Sequence, residues 1–114
     1  MKSWAYVYKP GGHIETISPE AACRHVGPDG LTWAHFDARE GEARAWLLAN
    51  SGLGEAIVSA LLAFETRPRL LPIGDGALIN LRGLGATPDE NEDALVSIRL
   101  WAQRGRVISV AEGE

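Results

Sequence analysis

The chain has 114 residues and a net charge of -4, with 46% hydrophobic and 23% charged residues. This length supports one domain with a single core, and the acidic balance argues against nucleic acid as a partner, because phosphate binding needs a basic surface. No apolar run approaches the roughly 20 residues that span a bilayer, so no direct membrane insertion is expected. A single cysteine, Cys23, excludes an internal disulfide and indicates a reducing compartment such as the cytoplasm.

The first part of the chain predicts a hairpin followed by a short helix. Polarity alternates over residues 3–8, the Pro10-Gly11-Gly12 segment predicts a turn, and residues 13–17 return as the second strand. The Ser18-Pro19-Glu20 segment is typical of a helix start, with serine as the N-cap and proline in the first turn. The Gly27-Pro28-Asp29-Gly30 segment then ends that helix.

The middle of the chain predicts one strand and two consecutive helices. Residues 31–36 form the strand, in which Trp33 and His35 share one face. Asp37 lies three residues before Glu40 in a variant of the capping box, so we expect it to cap a helix over residues 39–50. A second helix is expected over residues 54–64, where an apolar stripe recurs at helical spacing and comprises Ile57, Ala60, Leu61 and Phe64.

The rest of the chain has the pattern of an antiparallel meander. Pro68 lacks an N–H, so the helix must end before it. Strands are expected over residues 69–73, 77–82, 94–102 and 106–110, with a polar loop over residues 83–93. The predicted fold class is therefore α+β, with a mixed, largely antiparallel sheet flanked by helices, in a single domain over residues 1–114.

The sequence does not predict an enzyme. Cys23 and His25 are the only closely spaced nucleophile and base, and a spacing of two residues on a helix points the side chains to different sides. No glycine-rich phosphate loop of the GxxxxGK[ST] or GxGxxG type occurs. We therefore assign no catalytic and no cofactor-binding residue.

His35 and Asp37 are the candidate metal ligands. Zinc takes histidine and carboxylate ligands, and the period of a strand places these two side chains on one face. An ordinary histidine, either with protein partners or exposed to solvent, is the competing interpretation, because Asp37 is already expected to cap a helix. The acidic loop over residues 89–93 lacks the ligand order of a calcium-binding loop and is expected to be solvated.

Three segments, in this order, carry a resemblance to a known family: Glu65-Thr66-Arg67-Pro68-Arg69, Gly74 to Arg82, and Leu95 to Trp101. Residues 33–110 resemble the N-terminal cytoplasmic domain of the ZntB-type zinc transporters of the CorA superfamily. The resemblance implies an α/β/α arrangement with the sheet between helical layers, followed by long helices that lead into the membrane. On this resemblance the chain is a fragment of a longer transporter.

The resemblance also implies a function and partners. It implies a cytoplasmic regulatory or scaffold domain of a zinc transporter in the bacterial inner membrane. The implied partners are the transporter's own C-terminal helical and transmembrane part and further copies in a homopentamer. Zinc is implied as the transported ion, while the fragment itself requires no cofactor. The residues of the family motif, with an expected structural role, are Glu65, Arg67, Pro68, Arg69, Arg82 and Arg99. For Glu65, Arg67 and Arg69 the alternative is binding of an anion or of a neighbouring subunit.

Two further expectations depend on this interpretation. Arg82 and Arg99 share the less apolar face of their strands with Asn80 and Ser97, so we expect that face to be solvated or covered by another part of the full protein. The alternative hypothesis is a free-standing α+β small-ligand sensor or enzyme. A reading frame that continues into transmembrane segments favours the transporter, and a stop codon after Glu114 favours the alternative.

Overall fold

The computed structural model describes residues 3–24, 30–37, 42–63, 69–84 and 95–111; within these ranges only the backbone is described for residues 42, 69, 82–84 and 95–97. Strands and helices follow the predicted order closely. Their bounds are β1 Ser3–Lys9, β2 His13–Thr16, α1 Pro19–Arg24, β3 Leu31–Asp37, α2 Glu42–Asn50, α3 Glu55–Leu62, β4 Arg69–Ile73, β5 Gly76–Leu84, β6 Leu95–Gln103 and β7 Arg106–Ala111.

The seven strands in these ranges form one sheet in the order β2-β1-β3-β7-β6-β5-β4. Neighbouring strands are antiparallel at five of the six pairings, and β3 and β7 are parallel. A parallel pair requires a crossover connection, which here contains α2, α3 and the β4–β6 meander. The mixed, largely antiparallel sheet is confirmed.

Local sequence signals explain the N-terminal hairpin and the helix after it. Lys9 and His13 are the last paired residues before the turn, and Gly11 and Gly12 both adopt the positive φ that this turn requires. The backbone N–H of Ala21 donates a hydrogen bond to Oγ of Ser18 at 3.0 Å. Ser18 is therefore the N-cap that the sequence predicts.

The helices in the described ranges all pack on one face of the sheet. α1 contacts β1, β3 and β7, α3 contacts β5, β6 and β7, and α2 contacts the other two helices. The core between these layers contains side chains with no solvent exposure: Phe36, Leu47, Val58, Leu61, Ile108 and Val110. The resemblance implies helical layers on both faces, whereas the described helices supply only one.

In α3 the buried stripe differs from the predicted one. Val58 and Leu61 are fully buried, while Ile57 and Ala60 are only partly buried. Nearly every residue of this helix is apolar, so the sequence permits two adjacent stripes and does not specify which of them faces the sheet. Ala63 has an extended backbone, which confirms that the helix ends before Pro68.

The predicted helix cap at Asp37 falls at the edge of the described residues. Asp37 is the last residue of β3 and pairs with Ala111 of β7. The described part of α2 begins at Glu42. Residues 38–41, where the predicted cap would act, lie outside the described ranges.

The hairpin between β4 and β5 has a two-residue turn. Ile73 pairs with Gly76, and Gly74 has a φ of 58°. A glycine with positive φ at the first turn position is typical of the type II′ turns that suit the twist of a hairpin. The first residue after the turn is limited as well, because a Cβ atom at Gly76 would collide with the ring of Trp101 on β6.

Candidate functional site

Arg99 of the family motif is buried beneath α3. Its side chain is 2% exposed, and its Nε donates a hydrogen bond to the backbone carbonyl of Leu61 at 2.9 Å. Carbonyl groups in the last turn of a helix lack partners within the helix, and a positive charge at that end is favourable. Arg99 therefore satisfies and stabilises the C-terminal end of α3.

This contact corrects the expectation for the Asn80 and Arg99 face. Asn80 pairs with Arg99 across β5 and β6 and is 5% exposed. The face is neither solvated at these residues nor dependent on another part of a longer protein, because α3 of the same chain covers it. The expectation, solvent or a cover from another part of the full protein, was wrong for Asn80 and Arg99 because it did not anticipate that a helix carbonyl of this chain needs a donor.

The other family-motif residues are described in part or not at all. Glu65, Arg67 and Pro68 lie outside the described residues, and only the backbone of Arg69 and Arg82 is described. A cavity of about 160 Å³ adjoins the end of α3, and its lining includes Ala63, Leu71, Leu78, Asn80 and Arg99. The structural role predicted for the motif beyond Arg99 remains a prediction.

Sequence reasoning missed a second arginine with several protein partners, the half-buried Arg106. Its Nη1 donates to the backbone carbonyls of Cys23 and Ser51, each at 2.7 Å. Its Nε and Nη2 donate to Oε1 of Gln103 at 3.0 and 2.6 Å, which also accepts a hydrogen bond from Nε1 of Trp101. Arg106 thus joins the ends of α1 and α2 to the β6–β7 hairpin. Burial lowers the pKa of its guanidinium.

Cys23 is held in the core and does not offer a nucleophile. It is 3% exposed, and burial raises the pKa of its thiol to about 11. Since the thiolate is the reactive form, the thiol is unreactive near neutral pH. His25 lies outside the described residues, so the spacing argument for this pair is untested.

His35 lies on the face of the sheet opposite the helices. There it contacts Trp4, Trp33 and Ser109, and we call these four residues the His35 cluster. Its Nδ1 lies 2.8 Å from Oγ of Ser109, and Nε1 of Trp33 donates to the same oxygen at 2.8 Å. The Trp4 ring stacks on the imidazole with centroids 5.0 Å apart. Burial lowers the pKa of His35, and the nearby charge of Asp37 acts in the opposite direction.

The predicted metal ligands His35 and Asp37 lie on the same face of β3, as the strand period requires. Asp37 is 7% exposed. In the described part of the chain, no third His, Cys, Asp or Glu joins them to form a group able to hold a metal ion. Zinc binding at this pair therefore remains a prediction that rests on two side chains.

Apolar side chains dominate the face that carries the His35 cluster. We call this face the open face. The described helices pack on the other side of the sheet. Large hydrophobic residues of the open face that remain exposed are Trp4, Tyr6, Tyr8, Ile14, Leu31, Trp33, Leu70 and Leu81. Among the described helices, none has the length and apolar character needed to cross a membrane.

Comparison with known families assigns this fold. Residues 28–114 match the family described as CorA-like Mg2+ transporter protein. The chain belongs to this CorA-like family. The matched residues include Arg99 and both strands of the parallel β3–β7 pair. The match confirms the resemblance inferred from the sequence motifs.

The chain is similar in sequence to two named transport proteins, CmaX and ZntB. The chain is 40% identical over 101 residues to the divalent cation transporter CmaX of Pseudomonas aeruginosa, covering 88% of the chain and 30% of the relative. It is 33% identical over 96 residues to the zinc transport protein ZntB of Klebsiella pneumoniae, covering 84% of the chain and 29% of the relative. The chain therefore spans about a third or less of these relatives.

Solved structures of the family share the fold. The structure of the full-length CmaX protein superposes with a TM-score of 0.79 at 34% identity, covering 97% of the chain and 35% of that structure. The ZntB cytoplasmic domain from Vibrio parahaemolyticus superposes with a TM-score of 0.76 at 23% identity, covering 100% of the chain and 46% of that structure. The second likeness concerns the fold alone.

Proposed function

We propose that the chain is the cytoplasmic regulatory and scaffold domain of a zinc transporter in the bacterial inner membrane, with residues 1–114 as a single N-terminal domain. The observation that carries this proposal is the family match over residues 28–114. The relatives named CmaX and ZntB are transporters, which favours this function over a free-standing sensor or enzyme. Zinc is proposed because ZntB is a zinc transport protein.

Polar contacts between the helices and the sheet support the scaffold part of the proposal. Arg106 connects α1 and α2 to β7, and Arg99 connects α3 to β6. Charge-assisted hydrogen bonds of this kind are stronger than neutral ones, so each helix is held to the sheet by more than apolar packing. Such a domain would act as a rigid body that couples ion occupancy or subunit contacts to the pore.

The proposed partners are the remaining part of the same transporter and further copies of it. Full-length CmaX is much longer than this chain, which covers 35% of that structure. The long helices and membrane segments of such a protein would supply the ion path, because polypeptide in a bilayer must satisfy its backbone groups in helices or closed barrels. Assembly as a homopentamer is the arrangement we propose for the complete protein.

Zinc flux through the protein encoded by the complete reading frame tests this function. The protein is reconstituted in lipid vesicles, and zinc entry is followed with a zinc-sensitive dye inside the vesicles. We expect zinc entry with the complete protein and strongly reduced entry when residues 1–114 are deleted.

Point variants test whether the domain acts as a scaffold for the transporter or is only attached to it. Arg106→Met removes the contacts to α1 and α2, whereas Arg24→Met changes an arginine whose side chain is 70% exposed. We expect only the first to lower zinc flux at equal amounts of assembled protein. Absence of any divalent-cation flux, or full flux after the deletion, would contradict the proposed function.

A further inference from the structure

The two outer edges of the sheet are protected unequally. β4 forms one edge and β2 forms the other. Ile73 and Gly76 are the hydrogen-bonded pair that closes the two-residue turn between β4 and β5, so the backbone nitrogen of the preceding residue, Pro72, points outward. Proline has no N–H for an incoming strand and is one of the features that keep an edge from pairing with other chains. β2 contains neither proline nor lysine.

The hydrogen-bond pattern of the hairpin shows which backbone groups β2 presents at its outer edge. The N–H of Ile17, directly after β2, donates to the carbonyl of Ala5 at 3.1 Å. Bonded and non-bonded residues alternate along an antiparallel ladder, so the backbone groups of Ile14 and Thr16 point away from β1. In the described ranges, no strand pairs with this outer edge. Another strand could therefore bond to Ile14 and Thr16.

The side chains of β2 are arranged so that the strand can pair with a copy of itself. Ile14 and its partner on β1, Tyr8, share the open face and are 64% and 49% exposed. On the other face, Oε2 of Glu15 lies 2.6 Å from Nζ of Lys9, and His13 is the paired neighbour of Lys9. The edge thus carries an apolar residue on one face, and a histidine and a carboxylate on the other.

We propose that β2 pairs antiparallel with β2 of a second copy of this chain, about a two-fold axis at Ile14. The two Ile14 residues then exchange two backbone hydrogen bonds, and their side chains join the exposed Tyr8 residues of both copies in one apolar row. His13 of each copy faces Glu15 of the other, and a histidine N–H can donate to a carboxylate in either protonation state. Such directly opposed pairs stabilise strand pairing.

A shift of the register by one residue is less favourable for the side chains. It would set the Glu15 carboxylates of the two copies directly opposite each other, and like charges in that position are destabilising. It would also place Ile14 against Thr16 instead of a second isoleucine. The side chains therefore favour the register centred on Ile14.

This contact differs from the subunit contacts of the proposed pentamer. A two-fold contact closes on itself and cannot repeat around a ring of five, so in the complete protein it would join two transporters. The inference goes beyond the proposed function, and zinc flux by a protein whose β2 edges do not pair would overturn only the inference. Because β2 has four residues, we expect weak association, with a dissociation constant on the order of 100 µM.

Sedimentation equilibrium of the 114-residue chain, at concentrations on both sides of this value, measures the association. Ile14→Pro removes an outward N–H and leaves the hydrogen bonds between β1 and β2 in place, whereas Ile14→Val keeps that N–H. We expect Ile14→Pro to raise the dissociation constant at least about tenfold and Ile14→Val to change it little. Urea unfolding followed by circular dichroism shows whether each variant is folded.

Leu81→Ser is the control for association through the open face. Leu81 is 49% exposed on that face, and its strand, β5, lies near the opposite edge of the sheet. We expect Leu81→Ser to associate like the unchanged chain. A chain that stays monomeric at every concentration would overturn the proposal. So would association that Leu81→Ser abolishes and Ile14→Pro preserves, because the contact would then lie on the open face.

Disulfide formation tests the register and does not require the proline variant to fold. Ile14→Cys and Thr16→Cys each place a thiol on the same face of β2, at positions that are both exposed. In the proposed pair the two Ile14 Cα atoms lie about 5.5 Å apart, which a disulfide can bridge. The two Thr16 residues are displaced by about 13 Å along the strands.

With oxidised glutathione we expect a covalent dimer of Ile14→Cys and none of Thr16→Cys. Native Cys23 is 3% exposed and should not contribute, which the unchanged chain verifies. Equal yields of covalent dimer from the two variants, or a dimer of Thr16→Cys alone, would contradict the pairing centred on Ile14.

Discussion

Arg99 and Leu61 are 38 residues apart in the chain, yet the guanidinium Nε of the first donates to the backbone carbonyl of the second at 2.9 Å. The contact fixes the end of α3 against β6. It also turns a charged residue on a strand into part of the core. The packing of the helices on the sheet therefore depends on polar side chains, which the pattern of apolar residues does not reveal.

Replacing Arg99 with methionine should destabilise the domain by about 1–3 kcal/mol, because the Leu61 carbonyl loses its donor in a buried setting. Arg104→Met is the matched control, since Arg104 is exposed in the β6–β7 turn and surface changes usually cost little. Urea unfolding followed by circular dichroism measures the difference. Equal unfolding midpoints for the two variants would contradict the proposed role of Arg99.

Replacing Arg106 with methionine should cost more, about 2–4 kcal/mol, because two backbone carbonyls at the ends of separate helices lose a charged donor. The loss of stability should be local as well as global. Amide hydrogen exchange should therefore accelerate in α1 before it accelerates in β1 and β3. Arg24→Met, in the same helix as Cys23, serves as the control. Uniform acceleration across the sheet would show that Arg106 does not act through the helix ends.

The stability of the domain should fall between about pH 9 and pH 11 because of Cys23. Burial raises the thiol pKa from 9.0 to about 11, so the folded state keeps the proton over a range in which the unfolded chain releases it. The sign is therefore a loss of stability as pH rises, of about 2–3 kcal/mol over this window. Cys23→Ala should remove this component of the pH dependence. Urea midpoints measured for both proteins across the window provide the comparison.

The His35 imidazole should contribute the opposite pH dependence. Burial lowers its pKa below the ordinary value of 6.5, so the contribution is present above that value and is lost as pH falls through the lower folded pKa. Asp37 limits the effect, because its charge favours the protonated ring. Nuclear magnetic resonance titration of the ring should place its midpoint below 6.5. In His35→Gln the acid-side loss of stability should be smaller, and an identical loss would contradict the assignment.

Local signals in the sequence were sufficient to predict much of the fold. The Ser18 cap, the Gly74 turn and the end of α3 before Pro68 are each specified within a few residues, and the structure contains each of them. The two family segments that follow Pro68 lie in adjacent strands, β5 and β6. Their order along the chain was therefore informative about the family even though neither segment forms a site by itself.

Contacts between distant residues were not predictable in the same way. Arg106 reaches Cys23 and Ser51 across 83 and 55 residues, and His35 meets Ser109 across 74. The identity of each acceptor depends on how the helix ends are placed over the sheet, which no local pattern encodes. The choice between Val58 and Ile57 as the buried residue of α3 failed for a related reason, since both stripes are apolar and only the packing selects one.

The position of β7 has a consequence for how the domain is made. β7 lies between β3 and β6, so the two halves of the sheet, β2-β1-β3 and β6-β5-β4, share no direct strand pairing. Until β7 leaves the ribosome, β3 and β6 both present unpaired edges, which are prone to pair with other chains. Assembly of the whole sheet therefore waits for residues 106–111, and a nascent chain stalled just before them would be a natural client for chaperones.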